Sequence, residues 1–120
     1  MITFKRTDHI NICVALKDLE AARQFYADVF GLKPIPRPDH IFVTPGYWFV
    51  LGDIELHIGV ETPVGRTWRH TAFEVTDLVA ARKHLQANGI TIDEEPIIEG
   101  RDRFTFLDPF GNRMELLEYL

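Results

Sequence analysis

Asp8-His9-Ile10-Asn11-Ile12-Cys13-Val14 followed by Asp18-Leu19-Glu20-Ala21-Ala22-Arg23 decides the fold, because the chain writes this stretch twice. The second copy reads Arg69-His70-Thr71-Ala72-Phe73-Glu74-Val75, then Asp77-Leu78-Val79-Ala80-Ala81-Arg82. The spacing between copies stays close to half the chain: 61 residues from His9 to His70, 59 from Asp18 to Asp77, 58 from Gly31 to Gly89 and 60 from Glu55 to Glu115. So small a drift over a whole half marks a tandem duplication, with turns absorbing the differences. The junction falls near Thr62-Pro63-Val64-Gly65-Arg66, giving repeat units of about 5–61 and 66–120 within one domain, 1–120.

Each copy has the same local logic. Ile10, Ile12 and Val14 alternate with His9, Asn11 and Cys13, the period of a half-buried strand. Asp18 stands at an N-cap position, Leu19, Ala22, Tyr26 and Val29 form an apolar stripe, and Gly31 closes a helix over Leu19–Phe30. The run Pro34-Ile35-Pro36-Arg37-Pro38 forces an extended path. Strands are then expected at Ile41–Val43, Tyr47–Leu51 and Ile54–Val60, parted by Pro45-Gly46 and Gly52-Asp53. The second copy repeats the order. A strand spans His70–Val75, and a helix capped by Asp77 carries Leu78, Ala81 and Leu85 and stops at Asn88-Gly89. Strands follow around Ile97-Ile98, at Arg103–Leu107 and, past the turn Asp108–Asn112, at Arg113–Tyr119. Two tandem βαβββ units of this kind make an α+β fold of eight strands and two helices.

Composition sets outer bounds. At 120 residues, 46% hydrophobic and 26% charged, the chain is an ordinary single domain. No run is long and apolar enough to span a membrane, and no secretory signal is visible. Thirteen basic against eighteen acidic residues, a net charge of −5, make nucleic acid a poor partner. The lone Cys13 excludes an internal disulfide, and a cytoplasmic location is expected.

Alternation also sorts the polar residues. If the apolar set of each strand faces a helix-covered core, His9 and Asn11, Glu55 and His57, His70 and Glu74, and Arg113 and Glu115 lie on the opposite face. A single strand histidine is usually a surface residue, and a single glutamate is usually just solvated. What raises His9, Glu55, His70 and Glu115 is that they come from matching places in matching units. Imidazole and carboxylate together suit a divalent metal with open positions. His57 shares Glu55's face but, at a spacing of 60, matches Leu117; it is an alternative fourth ligand or a neighbour that orients one. Arg103 and Arg113 are candidates for a substrate carboxylate or phosphonate, although Arg103 also reads as an ordinary surface arginine. Asn11 shares the polar face. Trp48 and Val50 lie on one face and Tyr47, Phe49 and Leu51 on the other, so alternation leaves open which set lines a site; Phe104 and Phe106 are open in the same way.

The motifs His-Ile-x-Ile-x-Val and Asp-Leu-x-x-Ala-x-x-Phe-Tyr-x-Asp-x-x-Gly-Leu at His9–Val14 and Asp18–Leu32 resemble the vicinal oxygen chelate superfamily. So does Asp108-Pro109-Phe110-Gly111-Asn112 ahead of Glu115. The superfamily includes glyoxalases, fosfomycin resistance thiol transferases, methylmalonyl-CoA epimerase, extradiol dioxygenases and bleomycin resistance proteins. The resemblance implies a curved, open, eight-stranded mixed sheet around a metal cleft. It also implies a divalent ion (zinc, nickel, manganese, iron or cobalt) held by His9, Glu55, His70 and Glu115. Glu115 and Glu55 would be the catalytic bases of a metal-dependent lyase or isomerase acting on a small oxygen-bearing substrate, with Arg113, Arg103, Trp48 and Asn11 on that substrate. The alternatives are a thiol transferase or extradiol-type dioxygenase on the same metal, and a non-catalytic antibiotic-binding protein. A homodimer is expected, its units paired within a chain or across chains.

Overall fold

The computed structural model describes residues 1–120, which divide into two compact units, Met1–Pro63 and Val64–Leu120. The division falls inside the stretch that the repeat spacing marks as the junction. No helix is long and apolar enough to cross a membrane.

The first unit runs β1 (His9–Val14), α1 (Leu19–Asp28), β2 (Lys33–Ile35), β3 (Tyr47–Leu51) and β4 (Ile54–Val60). The second runs β5 (Thr71–Glu74), α2 (Leu78–Ala87), β6 (Asp93–Glu94), β7 (Arg101–Leu107) and β8 (Arg113–Tyr119). Each forms a four-stranded mixed sheet, in the orders β1-β4-β3-β2 and β5-β8-β7-β6. The outer pairs β1·β4 and β5·β8 are parallel and the others antiparallel. The fold is α+β with two tandem βαβββ units.

The cores follow the apolar stripes. Ala22 and Tyr26 of α1 are fully buried with Phe49 and Leu56, and Ile58 lies beside them. In the second unit Leu78 and Leu85 of α2 are buried, as are Phe104, Phe106 and Met114. Phe104 and Phe106 are therefore core. In β3 the face left open by alternation resolves the same way. Phe49 goes to the core and the Tyr47 hydroxyl meets Glu20 of α1, so Trp48 lies on the opposite face with His57.

Four local expectations are corrected. Asp77 caps α2, its Oδ1 accepting from the Ala80 amide at 2.8 Å, but the Asp18 side chain makes no such bond. His9 to Asp18 is two residues longer than His70 to Asp77, and the surplus winds into a 3-10 turn, Leu16–Asp18, leaving Asp18 in a helical conformation. Helix α1 stops at Asp28, short of Phe30, with Gly31 at φ +71° turning the chain back. Ile41–Val43 is not a strand; Asp39–Ile41 form a 3-10 turn, and the edge strand is Lys33–Ile35. A proline is tolerated there because an edge strand can leave one side of its backbone unpaired. Ile97-Ile98 likewise contributes only a bridge from Ile98 to Arg101, the short strand being Asp93–Glu94.

Candidate functional site

Parallel pairing of β1 with β4 sets His9 opposite Glu55 and Asn11 opposite His57, and antiparallel pairing sets Trp48 opposite His57. All five side chains therefore share the face away from α1. They line a pocket of about 650 Å³ with Asp8, Cys13, Arg37, Phe42 and Thr44, a volume in the range of small-molecule sites. His57 is buried and sandwiched: its ring stacks on Trp48 at 4.1 Å and 5°, and on His9 at 4.1 Å and 19°. Its Nε2 lies 2.9 Å from Glu55 Oε1. His9 Nδ1 lies 2.8 Å from Asp8 Oδ2, and that hydrogen bond holds the Asp8 carboxyl below its usual 3.8. Asn11 donates to Cys13 Sγ at 3.4 Å, while burial, followed by the Glu61 charge, raises the Cys13 thiol.

Sequence reasoning missed Arg37. Its guanidinium donates to Asp39 Oδ1 and to the Thr44 carbonyl at 3.0 Å, and stacks 4.3 Å from the Phe42 ring. It thus ties the 37–44 loop along the pocket edge, and Phe42 meets Trp48 edge-on at 6.1 Å. An arginine flanked by prolines, Pro36-Arg37-Pro38, is the only signal the sequence offered.

In the second unit His70 immediately precedes β5, its Nδ1 2.9 Å from the Trp68 carbonyl and its Nε2 3.6 Å from Glu115 Oε1. Glu115 is buried, on a face that alternation alone would leave polar and open. Arg103 of β7 covers it, donating from Nη1 to Glu115 Oε1 at 3.0 Å and from Nη2 to the Pro96 carbonyl at 3.0 Å. Arg113 donates to Glu95 Oε1 at 2.9 Å and to Thr105 Oγ1 at 3.3 Å, and stacks 5.2 Å from the exposed Trp68 ring. The Thr105 hydroxyl donates to Glu95, which lowers that carboxyl first, ahead of the Arg113 and Arg103 charges. Both arginines expected on substrate are thus engaged with carboxylates of their own unit.

Within neither unit do three His, Cys, Asp or Glu side chains gather to hold an ion; each unit offers a pair. The donor chemistry of those pairs fits a divalent metal. His9 and His70 both have Nδ1 engaged, which leaves Nε2 to ligate, the arrangement in which an outer partner orients a ligating imidazole. The 3.6 Å between His70 Nε2 and Glu115 Oε1 is too long for a hydrogen bond, and close to the roughly 3.4 Å that separates two donors each about 2.1 Å from one tetrahedral ion.

Comparison with known proteins agrees with this fold. The family model for the Glyoxalase/Bleomycin resistance protein/Dioxygenase superfamily matches residues 6–116. The chain is similar to a crystal structure described as of the glyoxalase family, from Bacillus anthracis, at 33% identity, TM-score 0.87 and 100% coverage of both chains. It shares the fold of a variant of the fosfomycin resistance protein FosX from Listeria monocytogenes, solved with Mn(II) and a dihydroxypropylphosphonic acid: TM-score 0.83, 21% identity, 98% of this chain and 95% of that one. It also shares it with lactoylglutathione lyase from Agrobacterium tumefaciens: TM-score 0.75, 21% identity, 94% of this chain and 92% of that one. No curated protein sequence matches the chain. On the match over residues 6–116 and the full-length likeness to the Bacillus anthracis protein, the chain belongs to the glyoxalase, bleomycin resistance protein and dioxygenase superfamily.

Proposed function

We propose that this protein is a metal-dependent enzyme of glyoxalase type, a lyase or isomerase acting on a small substrate with adjacent oxygens. The observation that carries the reading is that each candidate ligand side chain is hydrogen-bonded to a partner of its own unit. His9 is held by Asp8, His70 by the Trp68 carbonyl, Glu115 by Arg103 and Glu55 by His57. Ordinary solvated side chains have no need of such support. His9, His70 and Glu115 would hold the ion, with a fourth donor from the Glu55–His57 pair. Bound there, a divalent ion supplies Lewis acidity toward substrate oxygens.

The remaining work belongs to the chain. Trp48, Phe42 and Asn11 line the pocket that would take the organic part of the substrate. Glu55, within hydrogen-bonding reach of a single side-chain partner, is the carboxylate placed to accept a proton beside that pocket; Glu115 is the more firmly held of the two.

Elemental analysis of the purified protein tests the reading, with turnover then measured on hemithioacetals, epoxides and catechols. Stoichiometric metal that falls sharply in His9→Ala and in His70→Ala, together with turnover of a hemithioacetal or epoxide without oxygen uptake, is the expected result. Oxygen uptake with a catechol would replace it by a dioxygenase. Wild-type protein without metal that still binds an antibiotic of the bleomycin type would replace it by a binding protein.

A further inference from the structure

Arg37 inverts the burial pattern of its own loop. Between Pro36 and Pro45 the chain leaves Ile41, Phe42 and Val43 exposed, yet the Arg37 side chain is only 10% exposed. Burying a guanidinium while wetting large apolar side chains costs stability on both counts. Such an inversion marks a place where the fold yields to function. The guanidinium is also fixed. It lies 4.3 Å from the Phe42 ring, and a Cβ on Gly46 would come within 3.1 Å of its Nε and 3.2 Å of its Cζ, so it packs close to bare backbone there. Nη1 donates to Asp39 and Nη2 to the Thr44 carbonyl at 3.0 Å, which occupies two of the five N–H donors.

The charges around it single Arg37 out. It is the one Lys or Arg on the wall of the first unit's 650 Å³ pocket. The two carboxylates of that wall are engaged elsewhere, Asp8 with Arg6 and His9, and Glu55 with His57. Asp39 is not on that wall; it lines a second hollow, of about 350 Å³, which Arg37 also borders. A ligand in the larger pocket can therefore meet the guanidinium without first removing its partner. Should the partner have to move, Asp39 is 72% exposed and water can take over its carboxylate. Arg103 and Arg113 differ in this respect, because the carboxylates they hold, Glu115 and Glu95, are themselves only 8% and 22% exposed.

We infer that Arg37 is the anion-recognising residue of this pocket and that the ligand is a small organic acid, its carboxylate on the guanidinium and its apolar body against Trp48, Phe42 and Ile58. This rests on reading the pocket as the substrate's place and deepens that reading, but it needs no metal. A planar, prepositioned guanidinium matches the two oxygens of a carboxylate better than an ammonium on a flexible stem does.

NMR titration of the full-length protein near neutral pH tests it, following the Trp48 indole N–H and the Gly59 amide, both on the pocket wall. The probes are benzoate and its neutral isostere benzamide, each run on protein as purified and again with a chelator. Wild type should bind benzoate in both conditions, less tightly as salt rises. Arg37→Gln should weaken benzoate by roughly 10- to 100-fold and leave benzamide within about twofold. Asp39→Asn keeps an oxygen for Arg37 and removes the competing charge, so it should tighten benzoate by about two- to fivefold at low salt. An arginine that only staples its loop predicts the opposite: equal losses for both probes in Arg37→Gln, and no gain in Asp39→Asn. Either result, or no benzoate binding by wild type, overturns the inference. Benzoate binding that disappears with the chelator and ignores Arg37→Gln assigns the acid to a metal, which ends this inference and leaves the proposed reaction standing. Arg37-dependent binding in protein that takes up no metal and turns over no substrate upholds this inference and ends the other.

Discussion

Replacing Glu115 with alanine in the metal-free protein should cost about 3–5 kcal/mol of stability, whereas Glu55→Ala should cost less than about 1. The difference lies in the partner left behind. The Glu115 and Arg103 side chains are 8% and 16% exposed and 3.0 Å apart. Removing the carboxylate strands a buried guanidinium whose Nη2 has the Pro96 carbonyl but whose Nε has no partner. Glu55, by contrast, is 39% exposed, and its partner His57 carries no obligatory charge. For a chain of this size, 3 kcal/mol lowers the unfolding midpoint by roughly 10 °C or more. Circular dichroism during thermal unfolding, with a chelator present, reads the shift, and urea titration gives the free energy. The double variant Glu115→Leu with Arg103→Met removes both charges, and should recover to within about 1 kcal/mol of wild type. A Glu115→Ala cost below about 1 kcal/mol, or a double variant no more stable than the single, would refute the argument.

Other outcomes are open to measurement. Gly46→Ala places a Cβ 2.4 Å from the Ile58 carbonyl oxygen, which the backbone can relieve only by shifting, so urea titration should show a loss of about 1–3 kcal/mol; Gly65→Ala, with open space around it, should change stability by less than about 0.5. Glu95 is held below its usual 4.5 by the Thr105 hydroxyl, then by Arg113 and Arg103. A depressed folded value means stability present above about pH 4.5 and lost as pH falls through the folded value, so Glu95→Gln should flatten the fall of unfolding temperature between roughly pH 5 and 3. A homodimer is expected from the exposed apolar residues, Trp68, Phe4 and Ile97 among them; sedimentation equilibrium at micromolar concentration returning 13.9 kDa, the mass of one chain, would rule it out.

How much of this was legible in the sequence depends on how local each determinant is. Strand and helix periods repeat within a few residues, so the duplication, the α+β class and the polar faces holding His9, Asn11, Glu55 and His57 could be read directly. Capping needs only three neighbouring residues, and Asp77 was found; Asp18 failed because two surplus residues upstream wound into a turn. Edge strands carry weak signals, so Lys33–Ile35 was passed over for the more apolar Ile41–Val43. Pairing register is set by turns and by packing across strands, and no single-strand pattern encodes it. That is why spacing matched Glu55 to Glu115, while in the ladders Glu55 lies opposite His9 and Glu115 opposite Ala72. Burial of a polar residue depends in the same way on what a neighbouring strand lays over it. Arg103 on Glu115, Trp48 on His57 and Arg37 across its loop are contacts between residues 7 to 12 positions apart that only the folded sheet creates. The sequence by itself determined which polar side chains share a face; the tertiary structure decided which of them touch, because touching is a property of register.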